Sequence, residues 1–364
     1  MYRVKIHGAG SVGNHLAHAS RRMGWEVHLC DVDRAALERT RYQIYPQRYG
    51  AWDEAITLFP SAEAPTGGYD FIFVGTPPSS HLELAMAALK EKPKGLHVEK
   101  PLCPPELSRT QAFYHEVKES GVHAFVGYDH VVARSVAQLE ATLGAGAIGQ
   151  ALALDVEFRE HWGGIFAAHP WLSGPTASYL AFWTQGGGAS GEHSHALNLW
   201  QHLAHAVGAG RVVEVSALMD FVREGGADYD RLCALHLRTE SGLGGRCVQD
   251  VITIPHRKWA RVQGTQGWGE VHINAEPGAD KVSVQSGKEG RVETLLPKTR
   301  PDDFITELQH MAAVIEGRTA ASPIRIERGL DTMLVLVAAH RSVREGRTVH
   351  IDPAKGYGPE ALTS

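Results

Sequence analysis

Residues 2–7 alternate apolar and polar side chains and are rich in β-formers, so they read as a strand. A glycine-punctuated turn follows, Gly8-Ala9-Gly10-Ser11-Val12-Gly13, and then an amphipathic run over 14–23 that Gly24 stops. Residues 25–31 read as a second strand. Strand, glycine turn, helix and strand in this order make a βαβ unit. Further on, 69–75 (YDFIFVG), 96–99 (LHVE) and 122–128 (VHAFVGY) read as buried strands, and 81–90 and 105–120 as helices. Strands alternating with helices predict a parallel, doubly wound sheet.

The texture changes near residue 130. A helix over 132–143 ends at Gly144 and Gly146, and 151–158 reads as a strand. A loop rich in aromatic and histidine residues spans 161–185, and Gly186, Gly187 and Gly188 lead into a helix over 192–206. Strand-like segments then recur at 212–222, 231–239, 246–254, 259–264, 269–273 and 281–285. Their short spacing predicts an antiparallel or mixed sheet. Helices over 304–316 and 329–345 close the chain. The fold class expected is α/β: a Rossmann domain over 1–130, then an α+β domain over 131–364 with a large open, mostly antiparallel sheet. The last helix is free to pack back on the first domain. A length of 364 residues suits two cores.

Composition narrows the function. The formal net charge of -5 argues against a general nucleic-acid binder. No apolar run is long enough for a membrane span, and the chain opens directly on a strand, so neither membrane nor leader is expected. Cys30, Cys103, Cys233 and Cys247 form no CxxC pair, so no metal is expected; the pattern suits a reducing, cytoplasmic compartment.

The GxGxxG turn sits where a dinucleotide site requires it, after a strand and opening a helix. Gly8 permits the tight turn, Gly10 the approach of a pyrophosphate, and Gly13 close packing of helix on strand, with Ser11 and Val12 between them. The helix start adds free N–H groups and a partial positive charge. Asp31 ends the second strand, where a carboxylate accepts from the adenosine ribose and repels a 2′-phosphate. This favours NAD over NADP. Asp33 adds negative charge and Arg34 argues the other way, so NADP stays open. Thr76 and Pro77 end the YDFIFVG strand at the ligand edge of the sheet, with His81 opening the next helix. A proline-rich turn capping that helix is a compatible reading.

His97-Val98-Glu99-Lys100-Pro101-Leu102, behind GxGxxG and GTPP, resembles the Gfo/Idh/MocA oxidoreductases, which include glucose–fructose oxidoreductase and inositol dehydrogenase. The late stretches FITELQHMAAVIEGR and GLDTMLVLVAAHRSVREGR share the resemblance. It implies hydride transfer between a nicotinamide and a secondary alcohol of a sugar, sugar derivative or cyclitol. Lys100 would lie near nicotinamide and substrate hydroxyl, donating a hydrogen bond and stabilising alkoxide-like charge. Glu99 would orient Lys100 or contact cofactor ribose, and Pro101 would fix the turn.

In the family a glycine run precedes a helix bearing Asp and, four residues later, His. His195, followed by ALNLW, matches that His, and an imidazole titrating near pH 6.5 suits taking a hydroxyl proton. The acid departs from the pattern: Gly191 stands four residues before His195 and Glu192 three. Glu192 either replaces the Asp, since both spacings share a helix face, or is a first-turn acid favoured by the helix dipole. His193 and His195 would not share a face, which disfavours a metal pair. His161, Trp162, His169 and Trp171 suit stacking on a polyhydroxylated ring, or a loop packed by its own tryptophans. Tyr128, Asp129 and His130 end the last Rossmann strand on the same crevice. Asn198 binds substrate or packs, and Arg134 is nearest to a family Arg. Members commonly associate through the open sheet, so a homodimer or homotetramer is expected. Alternatives are a related carbonyl or imine reductase and a non-catalytic dinucleotide-sensing regulator of the same fold.

Overall fold

The computed structural model describes residues 1–167, 171–287, 290–299 and 301–363. The chain forms two compact units. One comprises Met1–Cys103, Ala112–Asp129 and Arg300–Ile326; the other Pro104–Gln111, His130–Thr299 and Glu327–Ser364.

Among the described residues, the first unit carries a parallel sheet of β1 (Arg3–His7), β2 (Glu26–Asp31), β3 (Ile56–Pro60), β4 (Phe71–Val74), β5 (Gly95–Val98) and β6 (His123–Val126), ordered β3-β2-β1-β4-β5-β6. The order reverses between β1 and β4, and ligands of such sheets bind beyond the carboxyl ends at that reversal. The strands are apolar because helices cover both faces: Ile6, Phe71, Phe73 and Val98 are fully buried. Leu16 and Ala17 of the Ser11–Arg22 helix pack there too. β3 was not anticipated. It is a five-residue edge strand whose mixed burial and terminal proline leave no periodic signal. The helix that belongs to this unit late in the chain is Asp302–Ile315. Phe304 stacks on His15 with centroids 4.8 Å apart, and the Val126 N–H donates to the Ile324 carbonyl (2.9 Å). The last helix, Ile326–Glu345, falls almost wholly in the second unit.

The second unit holds a sheet of β7 (Ala151–Arg159), β8 (Val212–Val222), β9 (Tyr229–Thr239), β10 (Gly244–Asp250), β11 (Arg257–Gly264), β12 (Gly267–Glu276), β13 (Ala279–Ser286), β14 (Arg291–Pro297), β15 (Val349–Ile351) and β16 (Leu362–Thr363). Their order is β14-β13-β12-β11-β7-β10-β9-β8-β15-β16, and β7 with β10 is parallel while the other pairings are antiparallel. The outer strands β14, β15 and β16 escaped sequence reading: β14 is exposed along most of its length, and the other two are very short. The Ser194–Ala206 helix lies on this sheet, with Trp200 fully buried and its Nε1–H donating to the Leu154 carbonyl (2.9 Å).

Two helix boundaries differ from expectation. The helix expected over 105–120 begins only at Thr110, whose hydroxyl is drawn to the Tyr357 carbonyl (2.5 Å). The helix expected over 192–206 is two helices, Gly188–Glu192 and Ser194–Ala206, broken at His193 (φ -95, ψ 24).

Candidate active site

The cofactor end is built by the first unit. Gly8 has φ +103, and a Cβ there would lie 2.7 Å from the Gly75 oxygen; a Cβ on Gly13 would lie 1.8 Å from the Gly8 oxygen. Both positions exclude any larger residue. A Cβ on Gly10 meets no protein atom within 4 Å, so the space it faces is open to a ligand. The loop's carbonyls are engaged: Thr40 Oγ1–H donates to the Ala9 oxygen (2.7 Å) and Asn14 Nδ2–H to the Gly10 oxygen (2.8 Å). The helix that follows has no side-chain cap, which leaves its first N–H groups for a phosphate.

Asp31 Oδ2 accepts the Ala9 N–H (2.7 Å) and Oδ1 the Asp33 N–H (2.8 Å). Each carboxylate oxygen keeps a second lone pair, as binding ribose hydroxyls requires. The neighbouring Val32 is 89% exposed and offers an apolar surface of the kind an adenine covers. Arg34, the residue that argued for NADP, pairs with Glu63. Arg48 escaped sequence reading. Its guanidinium donates to the Ser11 carbonyl (2.9 Å) and hydroxyl (2.8 Å), placing a cation beside the glycine loop. It sits in a short helix, Tyr45–Tyr49, with no motif around it.

Thr76 shares a hydroxyl contact with Ser80 (2.7 Å), and Pro77 is exposed. His81 is fully buried. Its Nε2 lies 2.6 Å from the Thr76 oxygen and its Nδ1 3.0 Å from the Pro101 oxygen. Burial pushes the ring down to about 4, so it is neutral. His81 therefore lies between the turn after β4 and the turn after β5, and its single N–H donates to one of their two carbonyls.

That second turn carries Glu99, Lys100 and Pro101. The Lys100 side chain is partly exposed, and its backbone N–H donates to Glu99 Oε2 (3.3 Å). Burial pushes the Glu99 carboxyl up to about 7; Glu307 and Asp129 reinforce the shift, while His97 and Lys100 oppose it. A Cβ on Gly127 would lie 2.8 Å from that carboxylate, so Glu99 depends on the glycine. Glu307 is fully buried, with Oε1 3.4 Å from His97 Nε2, and burial holds its carboxyl well above the usual range. Glu307 also went unnoticed, although it lies within FITELQH.

In the second unit His195 opens the Ser194–Ala206 helix and is half-buried. The His130 ring stacks on it, with centroids 4.5 Å apart and 18° between planes, and Phe158 lies 5.3 Å behind His130. Glu192 ends the preceding helix. The break at His193 removes the shared-face argument that joined Glu192 to His195. His193 itself is 3% exposed. His161 is exposed, its Nδ1 accepting the Gly163 N–H (2.9 Å). Trp162 is spent on packing: it is buried with Ile165, Leu180, Ala189 and Val251, against Phe166 and Tyr229. His169 lies outside the described residues, and Trp171 is half-buried. Tyr128 is fully buried, Arg134 exposed, and Asn198 donates to Thr332 Oγ1 (3.1 Å) as part of the packing.

Residues 2–128 match the family described as oxidoreductase family, NAD-binding Rossmann fold (GFO_IDH_MocA). The chain is an NAD-binding oxidoreductase, similar to this family over its Rossmann residues. It is similar to scyllo-inositol 2-dehydrogenase (NAD(+)) of Bacillus subtilis, 28% identical over 308 residues, or 80% of each protein. Two solved structures share the fold. An oxidoreductase from Agrobacterium radiobacter, solved with NAD+, L-tartaric acid and magnesium, has a TM-score of 0.74 at 20% identity, covering 96% of this chain and 98% of that one. Levoglucosan dehydrogenase with NADH and levoglucosan has a TM-score of 0.76 at 18% identity, with the same coverage. The open space at Gly10, the engaged loop carbonyls and the spare lone pairs of Asp31 fit NAD. Among the described residues no helix is long and apolar enough to cross a membrane.

Proposed function

We propose that the enzyme oxidises a secondary alcohol of a sugar, sugar derivative or cyclitol, using NAD in preference to NADP. The first unit would hold the cofactor: the Ser11–Gly13 amides and Arg48 at the pyrophosphate, Asp31 at the ribose, Thr76 and Pro77 along the strand ends. When bound, NAD+ supplies the hydride acceptor. Lys100 donates a hydrogen bond to the substrate oxygen and stabilises the negative charge it gains. His195 takes the hydroxyl proton as general base, and the stacked His130 holds its ring in orientation. Glu192, His161 and the exposed side of the 161–185 segment are assigned to the substrate's other hydroxyls. The second unit is also assigned to association into a homodimer or homotetramer.

The EKP turn carries this reading. Lys100 follows a buried strand at its carboxyl end, with His81 buried against the turn and the Lys100 N–H donating to Glu99. The 28% relative, an NAD(+)-dependent inositol dehydrogenase, supports the substrate class. The test is a panel of cyclitols and aldoses with NAD+ and NADP+, read at the NADH absorbance band, beside NADH binding by fluorescence. Turnover of a polyol with NAD+ is expected. NADH binding without turnover of any alcohol would favour the dinucleotide-sensing regulator.

A further inference from the structure

Beneath the helix break at His193, the second unit holds a buried polar cluster that the proposed chemistry does not use. Ser190 lies in the Gly188–Glu192 helix and is 1% exposed. Each of its three hydrogen-bonding groups is held. Its N–H donates to Asp230 Oδ2 (2.7 Å), its hydroxyl to Asp230 Oδ1 (3.0 Å), and its carbonyl accepts from Gln249 Nε2 (3.3 Å). The hydroxyl also lies 3.2 Å from His340 Nε2, and the His340 ring stacks on Trp183 with centroids 4.7 Å apart.

These partners come from β9, β10 and the Ile326–Glu345 helix, so Ser190 is fastened to three separate elements. Asp230 is completely buried. Its carboxylate comes so close to Gly188 that a Cβ there would lie 2.0 Å from Oδ1. Gly188 has φ +77, a conformation only glycine adopts without strain. The glycine run therefore lets the helix settle on the acid. A buried serine, histidine and aspartate in contact would suggest a nucleophile elsewhere, but no substrate reaches a hydroxyl 1% exposed.

Burying a carboxyl costs several kcal/mol unless hydrogen bonds repay it, so this cluster fixes one geometry or fails. The geometry points to Asp230 as a positioning residue: through Ser190 it holds the Gly188–Glu192 helix, and so fixes where the chain turns at His193 and where His195 stands. His193 N–H donates to Ala189 O (3.0 Å) and Ala196 N–H to His193 O (2.8 Å), so the backbone runs from the held segment into the His195 helix. This inference rests on the reading of His195 as general base.

The experiment compares kcat and KM of wild type, Asp230→Ala, Asp230→Asn, Ser190→Ala and His195→Ala on the polyol that the panel identifies, with NADH binding and thermal unfolding measured alongside. A displaced base costs about 100-fold in rate for a shift of about 1 Å. Asp230→Ala should lose about that much kcat, with polyol KM and NADH affinity nearly unchanged. Asp230→Asn, which can still accept the Ser190 N–H, should recover most of it. A destabilised but otherwise unaffected enzyme would instead show a lower unfolding temperature and an ordinary kcat. Folded Asp230→Ala with kcat within about threefold of wild type, beside inactive His195→Ala, overturns the positioning role and leaves the proposed function standing. Fully active His195→Ala overturns the general base, and the positioning role with it. If Asp230→Ala does not fold, Ser190→Ala decides. A kcat about 5- to 10-fold lower, the cost of one hydrogen bond, supports the role, and an unchanged kcat refutes it.

Discussion

Replacing Asp230 by asparagine should make the protein progressively more stable relative to wild type as the pH rises from 5 to 7. Burial pushes the Asp230 carboxyl up to about 7, against the hydrogen bonds from Ser190, which favour the ionised form. In the unfolded chain the same group titrates near 3.9. Between these values the folded protein keeps a proton that the unfolded chain has lost, so stability falls with pH at about 1.4 kcal/mol per unit. The group's contribution is fully present below the unfolded value and gone above the folded one. The whole span amounts to about 4 kcal/mol, of which about 2 kcal/mol falls between pH 5 and 7, the slope halving as the pH reaches the folded value. The titratable groups facing Asp230 stay neutral in that window: burial pushes the His340 ring down to about 4 and raises the Cys233 thiol well above its usual value. Asparagine fills the same volume without a titrating proton, so the difference between the two proteins isolates this one group. The assay is urea unfolding of both proteins at half-unit steps from pH 5 to 9, followed by tryptophan fluorescence. A difference that is flat across the range refutes the raised carboxyl. One that moves in favour of wild type with rising pH means that the hydrogen bonds from Ser190 outweigh burial.

Three further predictions follow from the cofactor end. Lys100→Ala should lower kcat by about 100-fold or more with little change in NADH affinity, because the ammonium acts on charge that develops only as the reaction proceeds; stopped-flow hydride transfer beside fluorescence titration checks this. Asp31→Ser should weaken NAD+ use and raise turnover with NADP+, since a repelling carboxylate is removed; the ratio of kcat/KM for the two cofactors reads it, and an unchanged ratio means Asp31 does not face the ribose. Gly127→Ala should drive a methyl group into the Glu99 carboxylate, now 2.8 Å away, and lower kcat about 100-fold while the protein still binds NADH; an unaltered kcat would show that Glu99 can move without consequence.

How much of this was legible in the sequence depends on the distance over which each residue acts. The glycine turn, Asp31 and the EKP turn were legible because their chemistry is local. Gly8 and Gly13 meet backbone within the same βαβ unit or the adjoining strand, and β-strand periodicity places Asp31 and Glu99 at strand ends. The sheet of the second unit was legible in its central strands, where apolar alternation is strong, and illegible in β14, where nearly every residue faces water. Arg48 and Glu307 have no periodic or motif signature. Arg48 matters only because a helix 37 residues away in the chain opens beside it.

Ser190 shows the limit most clearly. Its partners lie 40, 59 and 150 residues away, on two strands and a helix, and a hydrogen bond leaves no pattern in a chain whose contacts are that distant. Local spacing instead suggested one helix carrying both Glu192 and His195. The glycines that raised that expectation also undo it. They let the segment descend onto a buried carboxylate, and the helix that follows starts afresh at Ser194. What local spacing cannot carry is the orientation of His195, because the orienting force is applied to Ser190 from elements that the chain reaches only later.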